Sequence, residues 1–82
     1  MSEKMEASFS ILTMSIASSA CMSMGLAPDP QSGQVDKDKN MARFNIDLLL
    51  MLKDKTKNNL TEEERKFLDQ MISDLQMKFV QA

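Results

Sequence analysis

The fold is decided by the segment NNLTEEERKFLDQMISDLQMKFV, residues 58–80. Its residues 61–64 match a capping box, in which the Thr61 hydroxyl accepts a hydrogen bond from the Glu64 amide and the Glu64 carboxylate reaches back. Apolar residues then recur on one arc of a helix. They are Phe67, Leu68, Met71, Ile72, Leu75 and Phe79. The segment therefore predicts a helix over residues 62–80, helix 3.

A second amphipathic helix, helix 2, is predicted over residues 40–57. Its main apolar stripe comprises Met41, Phe44, Leu48, Met51 and Leu52, and Leu49 widens this stripe. Ile46 and Leu50 lie off this stripe, among charged residues. A simple helical hairpin would leave both side chains facing water. They are therefore either a second contact surface or two ordinary exposed aliphatic residues.

The first helix, helix 1, is predicted over residues 9–24. Its apolar arc comprises Phe9, Leu12, Met14, Ile16, Ala17, Ala20, Cys21 and Met24, with serines opposite. Gly25 suits a left-handed helix end, after which Leu26 can fold back towards Cys21. Pro28 prevents continuation of the helix.

The serine-rich face of helix 1 carries no charge, although a solvated helix face usually carries lysine or glutamate. Ile11 and Met22 lie between these serines. Small side chains also allow helix axes to approach closely. Either both sides of helix 1 are covered in an assembled protein, or a serine face is partly exposed.

These elements predict an all-α protein in which a long loop, residues 26–39, joins helix 1 to helices 2 and 3. The three-residue turn at 58–60 can join only helices that lie next to each other. We therefore expect helices 2 and 3 to form an antiparallel hairpin. Helix 1 would pack on that hairpin or be swapped to a partner. We expect a flexible tail over residues 1–8 and a single helical domain over 9–82.

Size and composition favour self-association. A chain of 82 residues builds a core whose net stabilisation is about 3–5 kcal/mol. One cysteine and no histidine leave neither an internal disulfide nor a common metal site to reinforce it. We therefore expect a homo-oligomer. A net charge of −2 gives no strong field for nucleic acid, so we expect no nucleic-acid partner.

We expect a soluble cytoplasmic protein, because an unpaired thiol suits a reducing compartment. Residues 7–28 carry no charge, which raises the question of a leader or membrane segment. Glu3, Lys4 and Glu6 do not make a positively charged leader region. Hydroxyl side chains interrupt the apolar stretch, which is also too short to span a bilayer.

The sequence offers no residues for a catalytic, cofactor or metal site. Without histidine, the commonest general base and metal ligand are both missing. Cys21 lies on the apolar arc and is interpreted as structural. The loop carboxylates Asp29, Asp36 and Asp38 do not match the spacing of a calcium-binding loop. We therefore expect no enzymatic activity and no cofactor.

The ordered series of short motifs resembles a bacterial protein family known as domain of unknown function 1844. The motifs are Phe9 through Ala20, Gly25, Pro28 to Pro30, Ile46-Asp47, Leu49, residues 51–53, 55–57 and 59–61, Asp74-Leu75 and Phe79-Val80. Asn58 stands where the family pattern has glycine, a change that a left-handed turn tolerates. The resemblance implies a short bacterial cytoplasmic helical protein, and it implies no activity, cofactor or catalytic residue.

Taken together, these features predict a helical interaction or structural protein that works as a homo-oligomer, with an unidentified protein as a further possible partner. The candidate interface residues are Ile11, Met22, Ile46 and Leu50. The alternative is a peripheral membrane protein that lays helix 1 on lipid. We rank membrane association lower, because interfacial helices normally carry lysine or arginine on their polar face.

Overall fold

The structure is a computed structural model that describes residues 7–28, 32–35 and 37–81. It contains three helices, α1 (Phe9–Ser23), α2 (Lys39–Lys55) and α3 (Glu62–Gln81). The described residues include no β-strand, only an isolated bridge between Met24 and Lys37. The predicted all-α class is therefore confirmed. Of the predicted tail, residues 1–6 lie outside the described part of the chain.

The end of α1 is the glycine-terminated end that the sequence predicts. The Leu26 amide donates to the Cys21 carbonyl at 3.0 Å and the Gly25 amide to the Met22 carbonyl at 3.1 Å. Gly25 has a φ of 78°, a left-handed conformation that favours glycine. This double hydrogen bond is the Schellman motif. The helix ends at Ser23, one residue before the predicted end.

The long loop returns to the end of α1 before α2 begins. The Asp38 amide donates to the Ser23 carbonyl at 2.7 Å. The Asp38 carboxylate then accepts from the Met41 amide at 3.1 Å, so this aspartate is the N-cap of α2. The last turn of α1 therefore lies beside the first turn of α2.

The turn between α2 and α3 begins two residues earlier than predicted. The Thr56 hydroxyl donates to the Leu52 carbonyl at 2.6 Å and α2 ends at Lys55. Asn58 has a φ of 70°, the left-handed conformation in which asparagine substitutes best for glycine. Asparagine at this position is therefore compatible with the left-handed turn.

All three helices pack against one another, and the α1–α2 interface is the most extensive. The buried apolar side chains are Ala17, Ala20, Met24, Ala42, Ile46, Leu49, Leu68, Ile72 and Leu75. The Cα atoms extend over 39 × 37 × 16 Å. A molecule this thin has two broad faces and a small interior, so much apolar surface stays outside.

The buried face of α1 consists of small side chains. Thr13, Ala17 and Ala20 are all buried, and the Thr13 hydroxyl donates to the Phe9 carbonyl at 3.0 Å. This hydrogen bond removes most of the cost of burying the hydroxyl. Such side chains allow the axes of two helices to approach closely. On α2, one of the residues that pack into the same core is also small, Ala42.

The predicted inward stripe of α2 is wrong for Met41, Phe44 and Met51, whereas Leu49 is buried as predicted and Leu52 packs against the core. The residues that face the core are Ala42, Asn45, Ile46 and Leu49, whereas Met41, Phe44 and Met51 are exposed. The helix is turned about its axis relative to the prediction. A physical reason is that α1 presents small side chains to α2. The helices then lie close together, and the space between them admits Ala42 but not phenylalanine or methionine.

Lys53 and Lys39 of α2 make polar contacts with α3. Lys53 Nζ lies 3.0 Å from Asp69 Oδ1, and Lys39 Nζ lies 4.8 Å from the centre of the Phe79 ring. The second is a cation–π contact. The earlier residue of α2 thus contacts the later residue of α3, and the later residue of α2 contacts the earlier one of α3. An antiparallel hairpin would make contacts in this order, and the hairpin itself stays a prediction.

Candidate interaction surface

A row of large apolar side chains lies on the outer side of α2. Met41, Phe44, Leu48 and Met51 follow one another at helical spacing, and we call them the α2 row. The exposed fractions are 48% for Met41, 55% for Phe44 and 43% for Met51, and Leu48 is half-buried. Rows of this spacing form the seams of helix pairs.

The α2 row borders the uncharged face of α1. Met41 shares a groove of about 370 Å³ with Ser19 and Met22 of α1. Leu12 precedes Ser19 by one heptad, so it lies on the same face of α1 as Ser19, and it is exposed there. The apolar surface thus extends from α2 onto α1.

Two unpaired charges lie along the other edge of the α2 row. Arg43 and Asp47 are one helical turn apart and both are exposed. Neither takes part in an ion pair within the part of the chain that the structure describes. The edge of the row therefore carries one free cation and one free carboxylate side by side.

The four candidate interface residues do not form one surface. Ile46 is 5% exposed and belongs to the core, so the interpretation that it faces water is wrong. The cause is the rotation of α2 about its own axis, described above, which brings Ile46 to the core beside Leu49. Leu50 is 38% exposed and lies on the α3 side of α2.

Ile11 and Met22 lie on the outward face of α1, as the serine pattern predicts. Ile11 is exposed and Met22 is half-buried. Ser15 and Ser18, between them, are exposed as well. Within one chain the serine face is thus partly open, and its coverage in an assembly stays a prediction.

Leu50 lines a groove of about 620 Å³ at the turn between α2 and α3. Leu60 and Leu68 contribute further apolar surface, and Lys57 and Arg65 contribute cations. This combination of apolar and cationic groups would suit an acidic ligand only if the cations were free.

Two cations of this groove, Lys53 and Arg65, already have partners on the protein. Arg65 donates to both carboxylate oxygens of Glu62 and to Asp69 at 3.1 Å, and Asp69 also pairs with Lys53. The hydrogen bond from Arg65 and its charge hold the pKa of Glu62 below the ordinary value of 4.5. The same hydrogen bond raises the pKa of Arg65. The network ties α2 to α3.

A second groove, about 460 Å³, lies between α1 and α3 and is mostly apolar. Met14 and Cys21 line it from α1, and Met71 and Leu75 from α3. Cys21 is half-buried with a free thiol. The groove is an imperfectly filled helix interface, in which flexible methionines occupy the edges.

The described residues contain no group of three or more cysteine or carboxylate side chains that could hold a metal ion. Of the loop carboxylates, Asp38 caps α2, while Asp29 and Asp36 lie outside the described residues. Over those same residues, no helix combines the length and apolarity needed to cross a membrane.

The sequence interpretation missed the α2 row as a surface and placed its members in the core. A signal was present, because two apolar stripes on one short helix cannot both face one thin core. The alanines of helix 1 favour the stripe with Ala42 as the inner one, since close-packed helices need small side chains on both partners.

Comparison with known proteins identifies one family. The sequence model described as "Domain of unknown function (DUF1844)" matches residues 6–81, nearly the whole chain. No curated protein and no solved structure is detectably similar to this chain.

Proposed function

The chain belongs to the DUF1844 family, and we propose that it is a helical interaction protein that works as a homo-oligomer through the α2 row. The observation that carries the proposal is the exposure of Met41, Phe44 and Met51 on one side of α2. Apolar side chains scattered singly on a surface are ordinary, but a contiguous row is typical of an interface.

The energetics support association. Burial of apolar surface contributes about 25 cal/mol per Å², and the thin three-helix core buries only a few large side chains within one chain. Covering the α2 row would add to that core the phenylalanine and methionine side chains that the chain leaves in water. Aromatic residues and methionine are enriched in interfaces.

We propose the cytoplasm of a bacterium as the location. The support is the single unpaired thiol, Cys21, which persists more readily in a reducing compartment, together with the resemblance of the sequence motifs. An unidentified protein could share the assembly, and the α2 row would then be the first surface to map.

The experiment is light scattering coupled to size-exclusion chromatography in reducing buffer, over a hundredfold range of protein concentration. We expect a dimer or larger species that dissociates on dilution. Phe44→Glu should shift the protein to a monomer, because it places a charge in the row. Val80→Glu is the matched control, since Val80 is also apolar and exposed but lies on α3.

Two results would contradict the proposal. A folded monomer at every concentration would exclude self-association, and equal loss of association in both variants would exclude a specific surface. Circular dichroism of each variant separates loss of association from loss of fold.

The membrane alternative has less support, because α1 uses Ala17 and Ala20 against its own core and presents serines outward. Co-sedimentation with vesicles of neutral or anionic lipid tests it directly. Binding by wild type that Leu12→Glu abolishes would favour the membrane role over self-association.

A further inference from the structure

We infer that the partner on the α2 row is a second copy of the chain, docked so that the two α2 helices run antiparallel across a two-fold axis at residue 46. This inference rests on the proposed function and adds the orientation, the register and the polar contacts of the interface. Three observations support it: the order of side chains in the row, the unpaired charges at its edge, and its area.

The order of side chains in the α2 row is nearly a palindrome: Met41, Phe44, Leu48, Met51. In an antiparallel pair centred on residue 46, Met41 opposes Met51 of the second copy and Phe44 opposes Leu48. Both pairs share the same centre, so one two-fold axis satisfies them together, as an isologous interface requires.

The unpaired charges at the edge of the row fit the same register. In an antiparallel pair, Arg43 of one copy and Asp47 of the second copy are offset by about 3 Å along the helix axis. The long arginine side chain can span this offset. Two symmetric Arg43–Asp47 ion pairs would form. A parallel two-fold pair would instead place the Arg43 and Asp47 edges of the two copies on opposite sides of the helix pair, where these ion pairs could not form.

The area is also that of a small interface. With roughly 200 Å² for a large side chain when fully exposed, the exposures of Met41, Phe44, Met51 and Leu12 amount to about 400 Å² of apolar surface per copy. A standard interface buries about 800 Å² per partner, a little over half of it non-polar. The row and the adjoining face of α1 thus supply the apolar share of such an interface.

Cross-linking tests the orientation. In a Cys21→Ser background, Met41→Cys and Met51→Cys are prepared as separate proteins and treated with a short bismaleimide, alone and mixed. We expect linked dimers only in the mixture, because equivalent residues of an antiparallel pair lie about 15 Å apart along the axis. Val80→Cys reports random collision and should remain unlinked.

Charge exchange tests the ion pairs. Arg43→Glu or Asp47→Arg alone should raise the dimer dissociation constant about tenfold, since each change removes two ion pairs and creates repulsion. The double variant should return it to within about threefold of wild type. Failure of the double variant to recover would overturn the predicted contact.

The outcomes separate this inference from the proposed function. Linked dimers from each cysteine variant alone would mean a parallel pair, and the inference would be wrong while the homo-oligomer stood. An oligomer that no variant of the α2 row disturbs would refute the inference and also the use of the α2 row in the proposed function, and only self-association through another surface would remain. A wild-type monomer at all concentrations would remove both.

Discussion

Thr61 and Glu64 hydrogen-bond to each other at the start of α3. The Glu64 amide donates to Thr61 Oγ1 at 3.1 Å, and the Thr61 amide donates to Glu64 Oε1 at 2.9 Å. The capping box predicted from the sequence is therefore confirmed. It satisfies two amides that have no partner within the helix, and it sets Glu62 as the first helical residue.

Thr61→Ala should lower the free energy of unfolding by about 1 kcal/mol, because the Glu64 amide loses its acceptor. Urea denaturation followed by circular dichroism measures this change. Glu63→Ala is the matched control, since Glu63 is exposed on the same turn outside the box. Equal losses in the two variants would mean that the cap contributes nothing specific.

The different environments of Ile46 and Leu50 lead to a second prediction. Ile46→Ala should lower the free energy of unfolding by about 2–4 kcal/mol, as expected for truncation of a core side chain. Leu50→Ala should cost less than about 1 kcal/mol, because Leu50 keeps more than a third of its surface in water. Urea denaturation at low protein concentration measures both. Similar losses would contradict the assignment of Ile46 alone to the core.

The ends of the helices could be predicted from the sequence. Local signals were sufficient where residues close together in the chain contact each other: Gly25 ends α1, and Thr61 with Glu64 begins α3. Such motifs depend on neighbours within a few residues, so periodicity and turn chemistry are enough to find them.

The inward face of α2 could not be read from α2 alone. Both stripes of this helix are apolar, and the choice between Phe44 and Ile46 as a core residue depends on what α1 presents to it. The contact joins residues far apart in sequence, which periodicity does not report. The α2 row was missed as a candidate interface for the same reason.

Close approach of α1 and α2 leads to a third prediction. Ala42 is fully buried where α1 also contributes small residues, so Ala42→Leu should lower the free energy of unfolding by about 1–3 kcal/mol through overpacking. Ala42→Gly tests the opposite change and should cost about 1 kcal/mol through helix propensity. A leucine variant as stable as wild type would show that the helices are not closely packed there.

The pairing of Glu62 with Arg65 predicts a dependence of stability on pH. The hydrogen bond and charge of Arg65 lower the pKa of Glu62 in the folded protein. The pair therefore stabilises the fold fully at a pH above 4.5, the ordinary pKa of the carboxyl group. This contribution is lost as the pH falls through the lowered pKa. Urea denaturation of wild type and Glu62→Gln at a series of pH values should therefore show a difference that is constant near neutrality and shrinks in acid. In an Arg65→Met background the same substitution should have little effect at any pH. A difference that persists unchanged in that background would mean that Arg65 is not the cause, and that the helix dipole alone stabilises the carboxylate.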